Sequence, residues 1–249
     1  MNRKLGTKFL FNRLIKTIKP DLVCDIGSMD ASDARRFRKM LHDARIVAFE
    51  GNPYNVDFLR QDEHLKRDRI DVQHKIVWNR NGKQTFYLEN LSTENGADDM
   101  RRGISSTRIR TENSLGNVEV EVKSVRLDTF IKGLDTVPKS VALWIDVEGG
   151  AYEVLEGISG VRDKIKIIHV EVETREFWKG QRLKADVEAL MASMGFITFA
   201  RGHFEPQHDL VLMNVKTFSE SPFKFKCMVY LAWLLTNRLK IFAKSNTAR

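Results

Sequence analysis

The chain has 249 residues, of which 42% are hydrophobic and 30% charged, a balance typical of a folded globular protein rather than a disordered chain. Two cysteines exclude a disulfide-stapled fold and a four-cysteine zinc site, and no uncharged apolar run reaches the ~18 residues of a membrane span. The net charge of +8 is concentrated at the ends, because residues 1–20 hold six basic residues and no acid and residues 216–249 hold seven and one. The middle is left at −4, so we expect no nucleic-acid partner, which would require a basic core surface.

The first predicted element is an amphipathic helix within residues 1–20. Its apolar side chains share one helical face: Phe11, Leu14, Ile15 and Ile18. Pro20 ends the helix, and basic residues interrupt the apolar ones too often for a signal peptide. Two interpretations stay open, since the helix can pack on the main domain or lie on a membrane surface.

Residues 21–216 are predicted to form one α/β domain, because short apolar runs alternate with helical patterns. The predicted strands are 21–26, 45–49, 71–77, 84–88, 118–125, 141–145, 166–172, 196–200 and 209–215, with helices at 54–65 and 183–194 among those between them. No helix fits between the last two strands, so we expect them to pair antiparallel. Residues 90–117 are polar and too long for a plain connection, which indicates a working loop. The pattern predicts a Rossmann-like, doubly wound, mostly parallel sheet.

Acidic residues stand at the ends of four predicted strands. They are Asp25, Glu50, Asp146, Glu148, Glu171 and Glu173. Doubly wound sheets bind ligands at the carboxyl ends of their strands, so we expect these side chains to converge on one edge. Such an edge favours a polar, cationic or hydroxyl-rich ligand.

The first two strand ends predict a nucleotide site. Gly27 permits a tight turn close to a ligand, and Glu50, 23 residues later, is placed to accept the hydroxyls of a ribose. The segment GSMDASDA has one glycine and two acids, Asp30 and Asp33, which would repel a pyrophosphate. A ligand with a ribose, no phosphate and a positive charge fits better, and S-adenosylmethionine (SAM) is such a ligand.

Five segments in this order resemble the FkbM-type SAM-dependent methyltransferases. They are DIGSMDAS, VAFEGNP, VRLDTF, LWIDVEGGAYEVLEGI and IHVEVE, and the resemblance extends from about Asp21 to Asn214. It implies a seven-stranded sheet of the class I methyltransferase type and methylation of hydroxyl groups, often on sugars or polyketide products. Two departures stand out: Ala31 replaces the second glycine of the family's first loop, and Gly51 stands where a proline is frequent.

The resemblance and the strand ends together predict the site residues. The cofactor-binding set is Asp25, Gly27, Ser28, Glu50 and Asn52, in which the resemblance places Asp25 on the methionine amino group. An alternative for Asn52 is that it shapes the turn before Pro53. The substrate-binding set is Ser105, Ser106, Glu171, Glu173 and His203, and the two serines fall where the family often has a pair.

Asp146 and Glu148 are the predicted catalytic residues. They are two positions apart at a strand end, so their side chains can point the same way, and a carboxylate can accept the proton of an attacking hydroxyl. Two alternatives stay open: the pair can bind a divalent metal, which is not expected because two carboxylates are an incomplete ligand set, or Glu148 can cap the helix that follows.

The predicted function is a SAM-dependent O-methyltransferase acting on a saccharide hydroxyl, in a small-molecule or glycan acceptor. The alternative is a non-catalytic membrane-surface protein that retains the fold. Residues 217–249 are predicted to form an apolar and basic tail helix, whose apolar run 227–235 rises only ~14 Å and cannot cross a ~30 Å bilayer core. It can pack on the domain, pack on a second copy as a homodimer, or lie on an anionic membrane, in a cytoplasmic protein at the inner membrane face.

Overall fold

A computed structural model describes residues 6–89, 103–111, 117–202, 204–223, 225–227 and 229–231. The described strands are β1 (Leu22–Ile26), β2 (Arg45–Glu50), β3 (Ile70–His74), β4 (Ile76–Val77), β5 (Gly82–Glu89), β6 (Asn117–Val125), β7 (Val141–Ile145), β8 (Ile165–Glu173), β9 (Phe196–Arg201) and β10 (Gln207–Asn214). The helices are α1 (Thr7–Ile18), α2 (Ser32–Met40), α3 (Pro53–Gln61), α4 (Glu63–Arg67), α5 (Leu127–Lys132), α6 (Ala151–Glu156), α7 (Lys184–Ser193) and α8 (Val215–Glu220), with a 3₁₀ turn at Ser159–Val161.

Seven strands form the main sheet in the order β3-β2-β1-β7-β8-β10-β9. The first five are parallel, whereas β10 runs antiparallel to both β8 and β9, so the predicted antiparallel pairing of the last two strands is confirmed. The predicted Rossmann-like fold of the class I methyltransferase type is also confirmed. Strand order reverses between β1 and β7, and this reversal places a ligand crevice at their carboxyl ends.

Helices cover both faces of the main sheet, which explains why its central strands are mostly apolar. The strand β7 (VALWI) is buried throughout, as expected for a parallel strand between two helical layers. Helices α1 to α4 pack on one face and α5 to α7 on the other, and each face has its own hydrophobic core.

The N-terminal helix packs on the sheet. Its apolar face is buried, with Phe11 and Ile15 fully inaccessible to solvent, and it contacts β8, β9 and β10. Two positions were predicted for this helix, on the main domain or on a membrane surface. In the structure, its predicted apolar face packs on the main domain. Residues of the C-terminal segment 223–231 that the structure describes are helical, and Phe225 and Val229 are buried in the same core. The rest of the predicted tail helix lies outside the described residues.

Two predicted elements are wrong in their extent. The helix predicted at 54–65 is two helices, because Asp62 ends α3 and its side chain accepts a hydrogen bond from the His64 backbone N–H to begin α4. The strand predicted at 71–77 divides at Lys75, where the chain leaves the main sheet. Ile76 and Val77 then pair with β6 instead of continuing β3.

A second, three-stranded sheet of order β4-β6-β5 lies beside the main one and was not predicted. Its own small core contains Ile76, Trp78, Phe86, Leu88 and Val122. Because β4 follows β3 almost directly, this sheet begins at the carboxyl edge of the main sheet and supplies one wall of the site. No helix in the part of the chain that the structure describes is long and apolar enough to cross a membrane.

Candidate active site

A cavity opens at the carboxyl ends of β1, β2 and β7. Its apolar wall comes from both sheets and includes Ile26, Phe49, Ile76, Val77, Trp78 and Phe86. Its polar groups include Glu50, Lys75, Ser105, Ser106, Asp146 and Glu148. Five of the predicted site residues thus line one cavity together with Gly27.

Position 27 requires a glycine because the first loop is in close contact with the loop after β7. Its φ is +82°, and a Cβ built there would stand 1.9 Å from the carbonyl oxygen of Asp146. The Asp146 N–H also donates to the Ile26 carbonyl at 2.9 Å, which ties the two strand ends together. Any side chain at position 27 would therefore push the loop that carries Asp146 away from β1.

The departure of Ala31 from the family pattern has a visible conformational cost. Ala31 has a φ of +58°, a left-handed conformation that glycine adopts freely and alanine adopts at a cost of ~1–2 kcal/mol. The residue is fully buried, its N–H donates to the Ser28 carbonyl at 2.8 Å, and α2 begins directly after it.

Glu50 joins the first loop to the turn after β2. It is 6% exposed, its Oε1 accepts the Asn52 N–H and its Oε2 accepts the Met29 N–H, both at 2.7 Å. Burial raises the pKa of Glu50, while these two hydrogen bonds oppose the rise. The Asn55 side chain and the Gly51 N–H also act on Glu50 as hydrogen-bond donors, so several of its acceptor sites are used within the protein, and its contact with ribose hydroxyls stays a prediction.

Asp25, Ser28 and Asn52, also predicted to bind cofactor, are not among the described residues of the cavity wall. Asp25 Oδ2 accepts hydrogen bonds from the Ser28 hydroxyl at 2.7 Å and the Ala34 N–H at 3.0 Å, which hold the first loop against α2. Burial raises the pKa of Asp25 to about 7, and the Ser28 bond opposes it. Asn52 caps α3 by accepting the Tyr54 N–H, as in its alternative interpretation. Direct contact of these three residues with a cofactor stays a prediction.

Asp146 and Glu148 both line the cavity beside Gly27. Burial and the Asp209 and Asp33 carboxylates raise the pKa of Asp146. Burial, with Asp146 and Glu173 nearby, raises the pKa of Glu148 to about 7. The helix after this loop, α6, begins at Ala151 without a side-chain cap, so the interpretation of Glu148 as its cap is wrong.

Ser105 and Ser106 belong to the segment 103–111, which lies across the cavity. The Ser106 backbone pairs with Tyr87 of β5, and its hydroxyl donates to the Glu148 carbonyl at 2.6 Å. The Ser105 hydroxyl is 3.4 Å from the Asn52 side-chain nitrogen. These contacts make both serines part of the cavity wall, and their contact with a substrate stays a prediction.

Arg108 holds the segment 103–111 in place by hydrogen bonds, and it was not among the predicted site residues. Its guanidinium donates to the Gly149 carbonyl at 3.2 Å and to Glu153 Oε1 at 2.6 Å. Trp78 and Lys75 of the cavity wall were also missed. Both residues follow β3, at the point where the chain leaves the main sheet. The single strand predicted at 71–77 gave no indication of this change of direction.

Glu171 and Glu173 lie on β8 and are not among the described residues that line the cavity. Glu171 Oε1 accepts the Gln207 side-chain N–H at 2.6 Å, and Glu173 Oε2 accepts that of Gln181 at 3.0 Å. Burial raises the pKa of both, to about 7 for Glu173. Their contact with substrate hydroxyls stays a prediction, and His203 lies outside the described residues.

Comparison with known proteins identifies the family. The profile of the methyltransferase FkbM domain matches residues 25–198. The chain belongs to the FkbM methyltransferase family. This FkbM protein is therefore a SAM-dependent methyltransferase, and the non-catalytic alternative is set aside.

Individual relatives are similar over most of the chain. The 2-O-methyltransferase NoeI of Sinorhizobium fredii (strain NBRC 101917 / NGR234) is 29% identical over 210 residues, which cover 80% of this chain and 82% of the relative. Among solved structures, precorrin-6y C5,15-methyltransferase from Geobacter metallireducens GS-15 is 16% identical, with a TM-score of 0.42 over 86% of this chain and 92% of that chain. Magnesium protoporphyrin IX methyltransferase from Synechocystis PCC 6803, solved with SAM bound, is 10% identical, with a TM-score of 0.42 over 86% and 85%.

The residues of the cavity fit the cofactor that the family implies. Three lining glycines keep it open, since a Cβ would meet Asp146 at Gly27, Phe86 at Gly51 and Trp78 at Gly150. Three carboxylates line it against one lysine, which suits a cation without phosphates. No group of three or more His, Cys, Asp or Glu side chains among the described residues is arranged to hold a metal ion.

Proposed function

We propose that the protein transfers a methyl group from SAM to a hydroxyl of a saccharide, in a polysaccharide, a lipid-linked glycan or a glycosylated metabolite. One observation carries the proposal: Asp146 and Glu148 line the same cavity as Gly27 and Glu50. Proton-accepting carboxylates thus stand beside the predicted ribose acceptor. The similarity to a 2-O-methyltransferase supports oxygen as the acceptor atom.

The chain's own residues would divide the work of this reaction. When bound, SAM supplies a methyl group that passes to the acceptor oxygen as the carbon–sulfur bond breaks and leaves its electron pair on sulfur. Glu50 would hold the ribose, and the Asp146 or Glu148 carboxylate would accept the hydroxyl proton on an oxygen atom. Ser105 and Ser106, with the segment 103–111, would close the cavity from water. Aligning the hydroxyl with the methyl group would supply most of the rate enhancement.

A saccharide is proposed because the edge beside the cavity is rich in hydrogen-bond acceptors. Asp146, Glu148, Glu171, Glu173 and Asp209 are all carboxylates, and hydroxyl groups are donors that can satisfy them. An acceptor with phosphate or carboxylate groups at the reacting end would be repelled by the same charges.

The test is methyl transfer from isotopically labelled SAM to fractionated cell glycans and lipids. The parent protein is expected to label a saccharide fraction, and Asp146→Asn to lower the rate ~100-fold or more, as loss of a general base does. The matched control is Asp163→Asn, which replaces a carboxylate by an amide on a side chain that is 84% exposed. SAM affinity, measured by calorimetry, should fall much less than the rate in Asp146→Asn and should stay the same in Asp163→Asn. Parental rates in both Asp146→Asn and Glu148→Gln would contradict the assignment, and activity restored only by Mg²⁺ would favour the metal alternative.

We also propose that the basic ends bring this enzyme to an anionic membrane surface at the cytoplasmic face. Two related predictions remain. The chain is predicted to divide into residues 1–20, 21–216 and 217–249, and two copies are predicted to form a homodimer through the tail. Tyr230 and Leu231 support surface contact, because they are 58% and 57% exposed on a helical segment whose Phe225 and Val229 are buried. Substituting these largely exposed side chains should disturb that packing less than substituting Phe225 or Val229.

Co-sedimentation with anionic vesicles tests the membrane proposal. The double variant Tyr230→Ser and Leu231→Ser is expected to sediment less than the parent at low salt, and the parent to be released at high salt. Equal sedimentation of both proteins would contradict membrane contact. A change of oligomeric state in the double variant would instead assign these side chains to a dimer.

A further inference from the structure

The segment 103–111 forms a bridge between the second sheet and the loop after β8. Ser106 exchanges two backbone hydrogen bonds with Tyr87 of β5, with N···O distances of 2.7 and 3.1 Å. Farther along the segment, the Lys179 N–H donates to the Ile109 carbonyl at 2.8 Å. Main-chain bonds therefore hold this bridge on both sides of the cavity that it crosses.

Arg108 lies within the bridge and joins it to three other elements. Its Nε donates to the Gly149 carbonyl at 3.2 Å, in the loop after β7, and its Nη1 donates to the Lys179 carbonyl at 3.3 Å, in the loop after β8. Its Nη2 donates to Glu153 Oε1 of α6 at 2.6 Å, in an ion pair whose side chains are 19% and 11% exposed. A planar guanidinium can make these bonds in three directions at once, whereas the single nitrogen of a lysine cannot occupy all three places.

The bonds from the bridge hold the two peptide groups that follow Glu148. The Glu148 carbonyl accepts the Ser106 hydroxyl at 2.6 Å, and the same hydroxyl oxygen accepts the Arg108 N–H at 3.0 Å. The next carbonyl along the chain, that of Gly149, accepts Arg108 Nε. Both peptide groups are thus connected to Arg108, one through Ser106 and one directly.

The turn after β7 depends on these surroundings for its position. Its internal hydrogen bond, from the Gly150 N–H to the Val147 carbonyl, is 3.4 Å long, which is at the weak end of the range. On its other side the turn is in contact with Trp178, because a Cβ built on Gly149 would lie 2.6 Å from the indole ring. The bridge and the Trp178 ring therefore enclose the turn between them.

Arg108 can influence the reaction only through the residues that it holds. Glu148 lines the cavity, whereas Arg108 and Gly149 are not among the described residues of its wall. A carboxylate must lie within hydrogen-bond reach of the hydroxyl whose proton it accepts, and a misplacement of about 1 Å can cost a factor of ~100 in rate. The position of the turn that carries Glu148 is therefore a determinant of the rate.

We propose that Arg108 is a positioning residue for methyl transfer: its bonds to the Gly149 and Lys179 carbonyls fix the turn after β7 and hence the place of the Glu148 carboxylate in the cavity. Proton acceptance by Glu148 rests on the proposed function, whereas the anchoring of the turn by Arg108 does not.

Methyl-transfer kinetics of Arg108→Lys test the positioning role, because lysine keeps a positive charge for Glu153 but loses the bonds to the two carbonyls. The variant should lower kcat by roughly 10- to 100-fold. SAM affinity should change much less, because Asp146 stays hydrogen-bonded to Ile26. The matched control is Arg162→Lys, the same change on a side chain that is 53% exposed, and it should keep the parental kcat. A parental kcat in Arg108→Lys, or a higher KM for acceptor at unchanged kcat, would overturn the proposal.

A double-mutant cycle with Glu148→Gln tests the route of the effect. If Arg108 acts through Glu148, Arg108→Lys should lower kcat much less in the Glu148→Gln protein than in the parent. Two losses that simply multiply would show that Arg108 acts independently of Glu148, and this result would overturn the proposal.

The indole N–H signal of Trp178 in a ¹H–¹⁵N NMR spectrum tests the anchoring without any acceptor. Trp178 is in contact with Gly149 and adjacent to Lys179, the two residues whose carbonyls Arg108 holds. The signal, assigned by its loss in Trp178→Phe, should therefore move in Arg108→Lys. A signal that does not move would overturn the proposal. If Arg108→Lys fails to fold, Arg108→Gln, which also loses the guanidinium, replaces it in each assay.

Two controls separate a local effect from a general disturbance of the fold. Trp144 is stacked on His169 with 3.6 Å between ring centres, in the hydrophobic core on the other face of the sheet from α6, and its indole signal should not move in Arg108→Lys. Arg162→Lys should leave the signals of both Trp144 and Trp178 unchanged. A shift of Trp144 as large as that of Trp178 in Arg108→Lys would contradict the local role.

The NMR and kinetic assays distinguish failure of this inference from failure of the proposed function. If no saccharide is methylated, the Trp178 signal still decides whether Arg108 anchors the turn. If methyl transfer is found but the Trp178 signal is the same in Arg108→Lys and the parent, the function holds and the positioning role is wrong.

Discussion

Substituting alanine for Gly27 should lower both the stability of the protein and its affinity for SAM. The structure gives the size of two contributions to the loss of stability. The left-handed φ of +82° costs an alanine ~1–2 kcal/mol. A Cβ 1.9 Å from the Asp146 carbonyl oxygen must also displace backbone, and such overpacking typically costs ~1–3 kcal/mol. Gly27→Ala should therefore lower the free energy of unfolding by roughly 2–5 kcal/mol, a large part of the ~5–15 kcal/mol of a typical domain.

Gly195 is the matched control for the conformational part. Its φ is +85°, nearly that of Gly27, but nothing lies within 4 Å of a Cβ built on it. Gly195→Ala should cost only the ~1–2 kcal/mol of the left-handed conformation. The difference between the two variants then measures the close approach of the first loop to Asp146.

Urea unfolding and calorimetry with SAM are the assays. Gly27→Ala should unfold at lower urea than Gly195→Ala and should bind SAM more weakly, because the loop carrying Asp146 is displaced. Gly195→Ala should bind SAM like the parent. Equal losses of stability in the two variants, with equal SAM affinity, would refute the argument from close approach.

Three further predictions concern Glu50, the raised pKa values and Arg108. Glu50→Gln should weaken SAM binding in calorimetry by ~1–3 kcal/mol, since a buried charged acceptor is lost, and equal affinity would remove the ribose assignment. Because the pKa of Glu173 is about 7 when folded, its contribution to stability is present below about pH 4 and is lost as the pH rises through 7. Glu173→Gln should therefore lose less stability than the parent between about pH 5 and pH 8 in urea unfolding, and an unchanged loss would contradict the raised pKa. Arg108→Met leaves the Glu153 carboxylate unpaired and should cost ~3–5 kcal/mol, part of which the double variant with Glu153→Met should recover; no recovery would exclude the ion pair as the cause.

The sequence was sufficient for the main sheet and for the position of the site. The strands β1, β2 and β7 are short apolar runs that end at, or are followed by, a glycine or an acid. Gly27, Glu50 and Asp146 could be placed because parallel strands end at the same edge. The second sheet could not be predicted, since β4 has two residues and pairs with β6, whose partner residue Ser124 is 48 positions from Ile76. Nor could the position of Glu171 opposite Asp209, because it depends on the register between β8 and β10.

The hydrogen bond from Thr7 to Asp209 has a consequence for the order of folding. These residues are 202 positions apart, so the first helix meets its partner strand only after almost the whole chain has left the ribosome. Until β8, β9 and β10 exist, Phe11 and Ile15 have no sheet against which to pack. Contacts between such distant segments form slowly, and the waiting apolar helix is exposed to aggregation. We expect the acidic edge, which β10 and α1 complete, to be the last part of the enzyme to form during synthesis.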